Sequence, residues 1–285
     1  MRRPGSSPGT STKNKKEKYS MSFIAALDQS GGSTPGALLR YGCEFTADNA
    51  VDKMHEFRMR IMTSPSYNVR YIDGAILFNE TVKRGGVESN TAAGVDSYLK
   101  VDVGLNQDGT MKPFDLRGAI QYAKDTGCVG TKMRSVVAEQ DSIVSVLNQQ
   151  FLFASQISDA GLLPIVEPEV PIAVSNKAEV EQALLEAISK FTQADTSHQC
   201  VLKLTLPEVP NLYAPLLDHP SVTRIVALSG GYSLEQATGR LSQNSNVSAS
   251  FSRALTEGLK YQMSNAEFNE KIKQNIKLID QASLA

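Results

Sequence analysis

The chain has 285 residues, with 29 basic against 30 acidic side chains and a formal net charge of −1. So even a balance gives no general reason to expect nucleic acid or an anionic membrane surface as a partner. No apolar run approaches the roughly 18 to 20 residues of a membrane-spanning helix, and the length suits one large domain or two small ones.

Residues 1–20 differ from the rest: they are rich in Ser, Gly, Pro, Lys and Arg, with no acid before Glu17 and no apolar run. They read as a disordered tail, the sharper alternative being the remnant of an organelle-targeting peptide. The cysteines Cys43, Cys128 and Cys200 are scattered, which fits buried thiols in a reducing, cytoplasmic compartment better than a disulfide framework. The histidines His55, His198 and His219 show no metal-ligand spacing, so no metal site is expected.

From residue 22 onward, short apolar runs alternate with amphipathic stretches. Strands are predicted at Phe23–Gln29, Ile72–Phe78, Tyr98–Val103, Cys128–Ser135, Leu162–Val170, Cys200–Leu206, Thr223–Leu228 and Val247–Phe251. Helices are predicted over Thr46–Met62, with Val51, Met54, Phe57 and Ile61 at helical spacing, and over Ser142–Ala160, Lys177–Phe191 and Ser264–Ala282. The connections after the second and third strands carry no clear pattern. Eight strands alternating with helices predict a single-domain α/β fold, a (β/α)8 TIM barrel over residues 21–285. A doubly wound open sheet is the rival, but Gly31-Gly32 lacks the spacing of a dinucleotide loop.

In such a barrel the site lies at the carboxyl ends of the strands. Those ends present Asp28, Lys100 and Asp102, Lys132 and Arg134, Glu167 and Glu169, and Lys203. Residues two apart on a strand share a face, so Lys132 and Arg134 point one way, as do Glu167 and Glu169. Lys203 sits in the apolar run Cys200–Leu206, where an unpaired ammonium is costly. A lysine desolvated beside a second cation becomes a nucleophile toward carbonyls. Lys132 is the cation expected to hold it neutral by repulsion. Glu167 is placed to shuttle protons, and Asp28 to take one from a substrate hydroxyl.

Two stretches read as anion sites. Ser229-Gly230-Gly231 precedes Ser233-Leu234-Glu235-Gln236, a capping-box pattern opening a helix whose N–H groups would face a phosphate. Arg253 adds a guanidinium fork. Ser30-Gly31-Gly32-Ser33, before Pro35, reads as a second site across the mouth.

Taken together these residues resemble the class I fructose-bisphosphate aldolases, in particular their short bacterial-type branch, over roughly residues 20–285. The resemblance rests on Ala25–Ser33, Ala75–Thr81, Leu99–Gly104, Gly130–Arg134, Pro164–Val170, Val201–Thr205, Leu228–Gly231 and Phe251–Leu255. It implies a metal-independent lyase of glycolysis and gluconeogenesis that cleaves fructose 1,6-bisphosphate through a covalent imine on Lys203, with no cofactor. It implies Glu167 as the acid/base for the imine, Asp28 for the C4 hydroxyl proton, and Lys132 as the lysine that tunes the nucleophile. Lys100, Arg134 and Glu169 match supporting positions. Ser229, Gly230, Gly231 and Arg253 match the dihydroxyacetone-phosphate end, and Ser30 and Ser33 the other phosphate.

Three departures stand out. Better-known members end in a tyrosine assigned to the carbanion proton step, whereas the last residues here are Leu284-Ala285. Phe251-Ser252 stands before Arg253 where those members have Tyr-Gly, and Gly36-Ala37 stands where a basic residue would help hold the distal phosphate. The expected partners are small sugar phosphates, with neither nucleic acid nor membrane, and a homo-oligomer is compatible with the chain. The other readings are a lysine-dependent aldolase for a different sugar phosphate, and a non-catalytic sugar-phosphate-binding or scaffold protein.

Overall fold

Eight apolar runs become eight parallel strands because neither face of the sheet they form meets water. The computed structural model describes residues 22–284, so the tail expected at residues 1–20 lies outside the described residues. The strands are β1 (Phe23–Leu27), β2 (Ile72–Leu77), β3 (Asp96–Lys100), β4 (Gly130–Val136), β5 (Leu163–Glu169), β6 (Cys200–Thr205), β7 (Val222–Leu228) and β8 (Val247–Ala249). Every residue of β1, β2 and β6 is buried, the signature of parallel strands covered on both sides. They pair in the order β1-β2-β3-β4-β5-β6-β7-β8, each neighbour parallel. The ring is drawn together where the Ala26 N–H on β1 donates to the Phe251 carbonyl just past β8, at 3.2 Å. This is the expected (β/α)8 barrel.

The outer layer comprises α1 (Ser33–Arg40), α2 (Ala50–Met62), α3 (Asn79–Lys83), α4 (Gly86–Ala93), α5 (Leu116–Asp125), α6 (Ile143–Asp159), α7 (Lys177–Ala194), α8 (Leu234–Leu241) and α9 (Asn265–Ser283). The unassigned connections after β2 and β3 hold α3, α4 and α5. That between β6 and β7 has only a 3-10 turn, Ala214–Asp218. On α2 the buried stripe begins at Ala50 and continues through Met54, Phe57 and Ile61, while the predicted Val51 is exposed. Strand β3 begins two residues before the predicted Tyr98 and ends at Lys100 rather than Val103. Beyond Lys100 the chain builds its own hairpin, with Leu105 bridged to Met111 and the Lys112 N–H donating to the Gly104 carbonyl at 2.9 Å.

Inside the barrel the side chains form layers. The middle layer is apolar, from Ile24, Ala26, Ile76, Tyr98, Ile165, Val201 and Val226. The Tyr98 ring fits there because its neighbours are Gly74 and Gly130, where a Cβ would come within 2.8 Å of the ring. The amino-terminal end holds Arg224, which donates to Asp73 at 2.7 Å and Ser248 at 2.6 Å, and to the Ser22 carbonyl. With one end closed and the middle filled, the carboxyl end is left to carry chemistry.

Candidate active site

Strand register brings the charged side chains to one level. Lys100 on β3 stands beside Lys132 on β4, and Arg134 beside Glu167 on β5. Lys203 reaches the same mouth from β6, and Asp28 from the residue after β1. All of them line one cavity of about 880 Å³ at the carboxyl ends of the strands.

Lys132 is the hub. Its Nζ lies 2.6 Å from Asp28, 3.0 Å from Glu167 and 3.7 Å from Asp102. Burial alone would lower its pKa, but the carboxylates of Asp28, Glu167 and Asp102 outweigh that and raise it, so Lys132 is firmly charged. Burial alone would raise the Asp28 carboxyl. The ammoniums of Lys132, Lys203 and Lys100 instead hold it well below the usual carboxylate range. Around this hub Lys100 pairs with Asp102 at 2.8 Å, and Arg134 with Glu169 at 2.7 Å.

Lys203 is buried, and its Nζ lies 3.1 Å from Glu167 Oε1. Glu167 therefore stands between the two lysines, one oxygen toward each. The expected direct repulsion of Lys203 by Lys132 is correspondingly damped by an intervening negative charge. The geometry offers another route to a neutral amine, transfer of the Lys203 proton to the adjacent carboxylate. Glu167 Oε2 is buried and lies 3.0 Å from Lys132 Nζ.

The loop that carries Arg253 and the loop Ser30–Ser33 leave adjacent strands of the ring. Strand β1 follows β8 around the ring, and Gln29 Nε2 donates to Ser252 Oγ at 2.6 Å, joining the loops after those strands. Buried Arg58 on α2 supports the same segment, donating to the Gln29 carbonyl and to Thr81 Oγ1 at 2.9 Å. Within Ser30–Ser33 the Ser33 hydroxyl accepts from the Ser30 N–H at 3.0 Å and donates to the Ser30 carbonyl at 2.9 Å, closing the turn.

At the helix after β7 the capping box forms and takes up two N–H groups: the Gln236 N–H goes to Ser233 Oγ and the Ser233 N–H to Gln236 Oε1. The Leu234 N–H donates to Glu257 at 2.8 Å. What remains for an anion, among the described residues, is the Glu235 N–H and the glycine loop. Gly230 and Gly231 have φ of +58° and +124°, conformations suited to glycine. A Cβ on Gly231 would sit 3.1 Å from the Arg253 guanidinium, so the two are packed together. Ser229, Gly230 and Arg253 line the cavity, and Gly231 packs against Arg253.

Sequence reasoning passed over two cavity residues. Asp102 was visible at the end of β3 but assigned no role; it joins Lys100, Lys132 and the Arg134 N–H, the last at 3.2 Å. Arg40 lies seven residues beyond Ser33, and only the path of α1 brings it to the mouth. Four acidic and six basic side chains line the cavity, an excess of two positive charges concentrated where anions would enter. A buried lysine beside a shared carboxylate, under a cationic rim, can form an imine with a phosphorylated ketone.

No protein-family model matches the chain. Curated relatives do. It is 47% identical to the "Fructose-bisphosphate aldolase class 1" of Synechocystis, over 95% of this chain and 96% of that one. It is 43% identical to the protein of the same name from Clostridium acetobutylicum, over 92% and 95%. Among solved structures, the fructose-bisphosphate aldolase of Plasmodium falciparum superposes with a TM-score of 0.75 at 21% identity, covering 94% of this chain and 93% of that one, a likeness of fold. With its length matched almost end to end at such identity, the chain belongs to the class 1 fructose-bisphosphate aldolases.

Proposed function

We propose that the chain reversibly cleaves fructose 1,6-bisphosphate to dihydroxyacetone phosphate and glyceraldehyde 3-phosphate, with Lys203 as the nucleophile. The observation that carries this reading is Lys203 itself, buried on β6 with its Nζ 3.1 Å from a carboxylate that a second buried lysine shares. Membership of the family supports the substrate.

Lys203 gives a proton to Glu167 and attacks the C2 carbonyl, forming a carbinolamine. Glu167 returns a proton to the departing hydroxyl, which leaves as water, and the nitrogen lone pair forms a protonated imine. The C4 hydroxyl then loses its proton to the carboxylate pair of Asp28 and Glu167, which Lys132 holds together. The C3–C4 bonding electrons pass into the iminium, giving an enamine, and glyceraldehyde 3-phosphate departs. Protonation at C3 and hydrolysis release dihydroxyacetone phosphate and free Lys203. The iminium is the electron sink, so the reaction calls on no Lewis acid.

Lys100, Arg134 and Glu169 hold the carboxylates and substrate hydroxyls in place. Ser229, Gly230, Gly231 and Arg253 take the C1 phosphate, and Ser30 and Ser33 face the C6 end. The three free buried cysteines suit a reducing cytoplasm, and among the described residues no helix is long and apolar enough to cross a membrane. A homo-oligomer is the assembly to look for by light scattering.

Borohydride reduction in the presence of fructose 1,6-bisphosphate, followed by peptide mapping, tests the nucleophile. A substrate adduct on Lys203 is expected. An adduct on another lysine overturns the residue; cleavage only with added divalent metal and without any adduct overturns the mechanism.

A further inference from the structure

Every cation deep in the cavity has a carboxylate beside it, but two arginines at its rim do not. Neither Arg40 nor Arg253 has a side-chain hydrogen bond or ion pair among the described residues, and both line the cavity. Arg253 belongs to the loop after β8, whose role is accounted for above. Arg40 is the last residue of α1, a place where arginine ordinarily turns to the helix's final carbonyls. Here that task is taken elsewhere: Lys260 Nζ donates to the Arg40 carbonyl at 2.7 Å.

The Arg40 side chain instead runs back along the helix, the direction in which helical side chains lean. One turn earlier stands Gly36, and a Cβ there would lie 3.6 Å from Arg40 Nη1. The guanidinium lies alongside Gly36, at a distance where a Cβ would make ordinary van der Waals contact, and shares the cavity lining with Ser30–Ser33. Both residues line the cavity on the β1 side. Thus a position without a side chain and a cation without a partner meet at one place.

We propose that Arg40 is the specificity-determining cation for the C6 phosphate, acting from the end of α1 alongside Gly36. The inference rests on the fructose-bisphosphate reading above. It accounts for how a chain with Gly36-Ala37 in its first helix provides charge to the distal end of a bisphosphate. A planar guanidinium can meet two oxygens of a phosphate in a paired hydrogen bond, which an ammonium cannot reproduce.

The test compares binding of fructose 1,6-bisphosphate and of fructose 1-phosphate, which lacks the distal group, by titration calorimetry. It uses the full chain, Arg40→Ala and Arg40→Lys. Arg40→Ala is expected to weaken the bisphosphate about tenfold more than the monophosphate, as befits one lost charge-assisted contact, with Arg40→Lys between. An equal change with both ligands, no change with either, or no bisphosphate binding by the unaltered chain overturns the assignment. Turnover of the unaltered chain is measured separately. Binding without turnover counts against the aldolase reading, while the ratio of the two affinities still decides the role of Arg40.

Discussion

Lys132 is the residue on which the site's electrostatics turn. Its Nζ meets the buried carboxylates of Glu167 and Asp102 and the largely covered one of Asp28, so removing it strands charge in a poorly hydrated place. Replacing it by methionine of similar length is expected to cost about 3 kcal/mol of stability, measured by urea unfolding, and at least about a hundredfold in kcat. Asp28 carries the pH dependence. Its folded pKa lies below its ordinary 3.8, so the unfolded chain binds its proton more readily. That contribution to stability is fully present above pH 3.8 and is lost as pH falls through the folded value. An Asp28→Asn variant should therefore show a shallower loss of stability below about pH 4 than the unaltered chain, followed by circular dichroism. Equal slopes would mean that the carboxylate is not held ionised by its lysines.

At the scale of elements, the hairpin after β3 decides the shape of the cavity on that side. Its tip docks on the end of β4, where the Val136 N–H donates to the Gly109 carbonyl at 2.9 Å. Gly109 has φ +81°, and a Cβ there would stand 1.9 Å from the Val136 carbonyl oxygen. No side chain fits without breaking that contact. Gly109→Ala should lower stability by about 2 kcal/mol and raise KM, because Val103, Gly104 and Leu105 at the base of the same hairpin line the cavity. A variant with unaltered KM and stability would show that the hairpin docks without help from this approach. The Ser233–Gln236 cap illustrates how an element can be read correctly and its use misread. The Ser-x-x-Gln pattern foretold the helix start, yet the bonds that make the pattern recognisable withdraw two of its N–H groups from an anion.

Across the whole molecule, the two ends of the barrel divide the work. Charge at the carboxyl end serves the site; at the amino end Arg224 and Asp73 tie β7 to β2 with Ser248 alongside. Arg224→Ala should cost about 3 kcal/mol of stability in urea unfolding and leave KM unaltered in the folded fraction, since that end lies away from the cavity. A change in KM with no change in stability would contradict this division.

Much of this plan was open to inspection in the amino-acid order. The eight strands followed from short apolar runs, because a strand buried on both faces must be apolar along its length. The groups proposed to react drew attention by their breaches of that rule: Lys132, Glu167 and Lys203 stand in runs where charge is expensive, and period-two alternation turns them inward. What sequence alone left undecided was whatever depends on ring closure and on side-chain direction. Residues 29 and 252 lie 223 positions apart in the sequence, so only closure of β8 onto β1 makes their loops neighbours. Glu167 lies between Lys132 and Lys203 because of strand register, which sets distances of a few ångström that residue spacing does not encode. Arg40 reaches the mouth because its side chain lies back along α1 beside Gly36, a matter of packing in three dimensions.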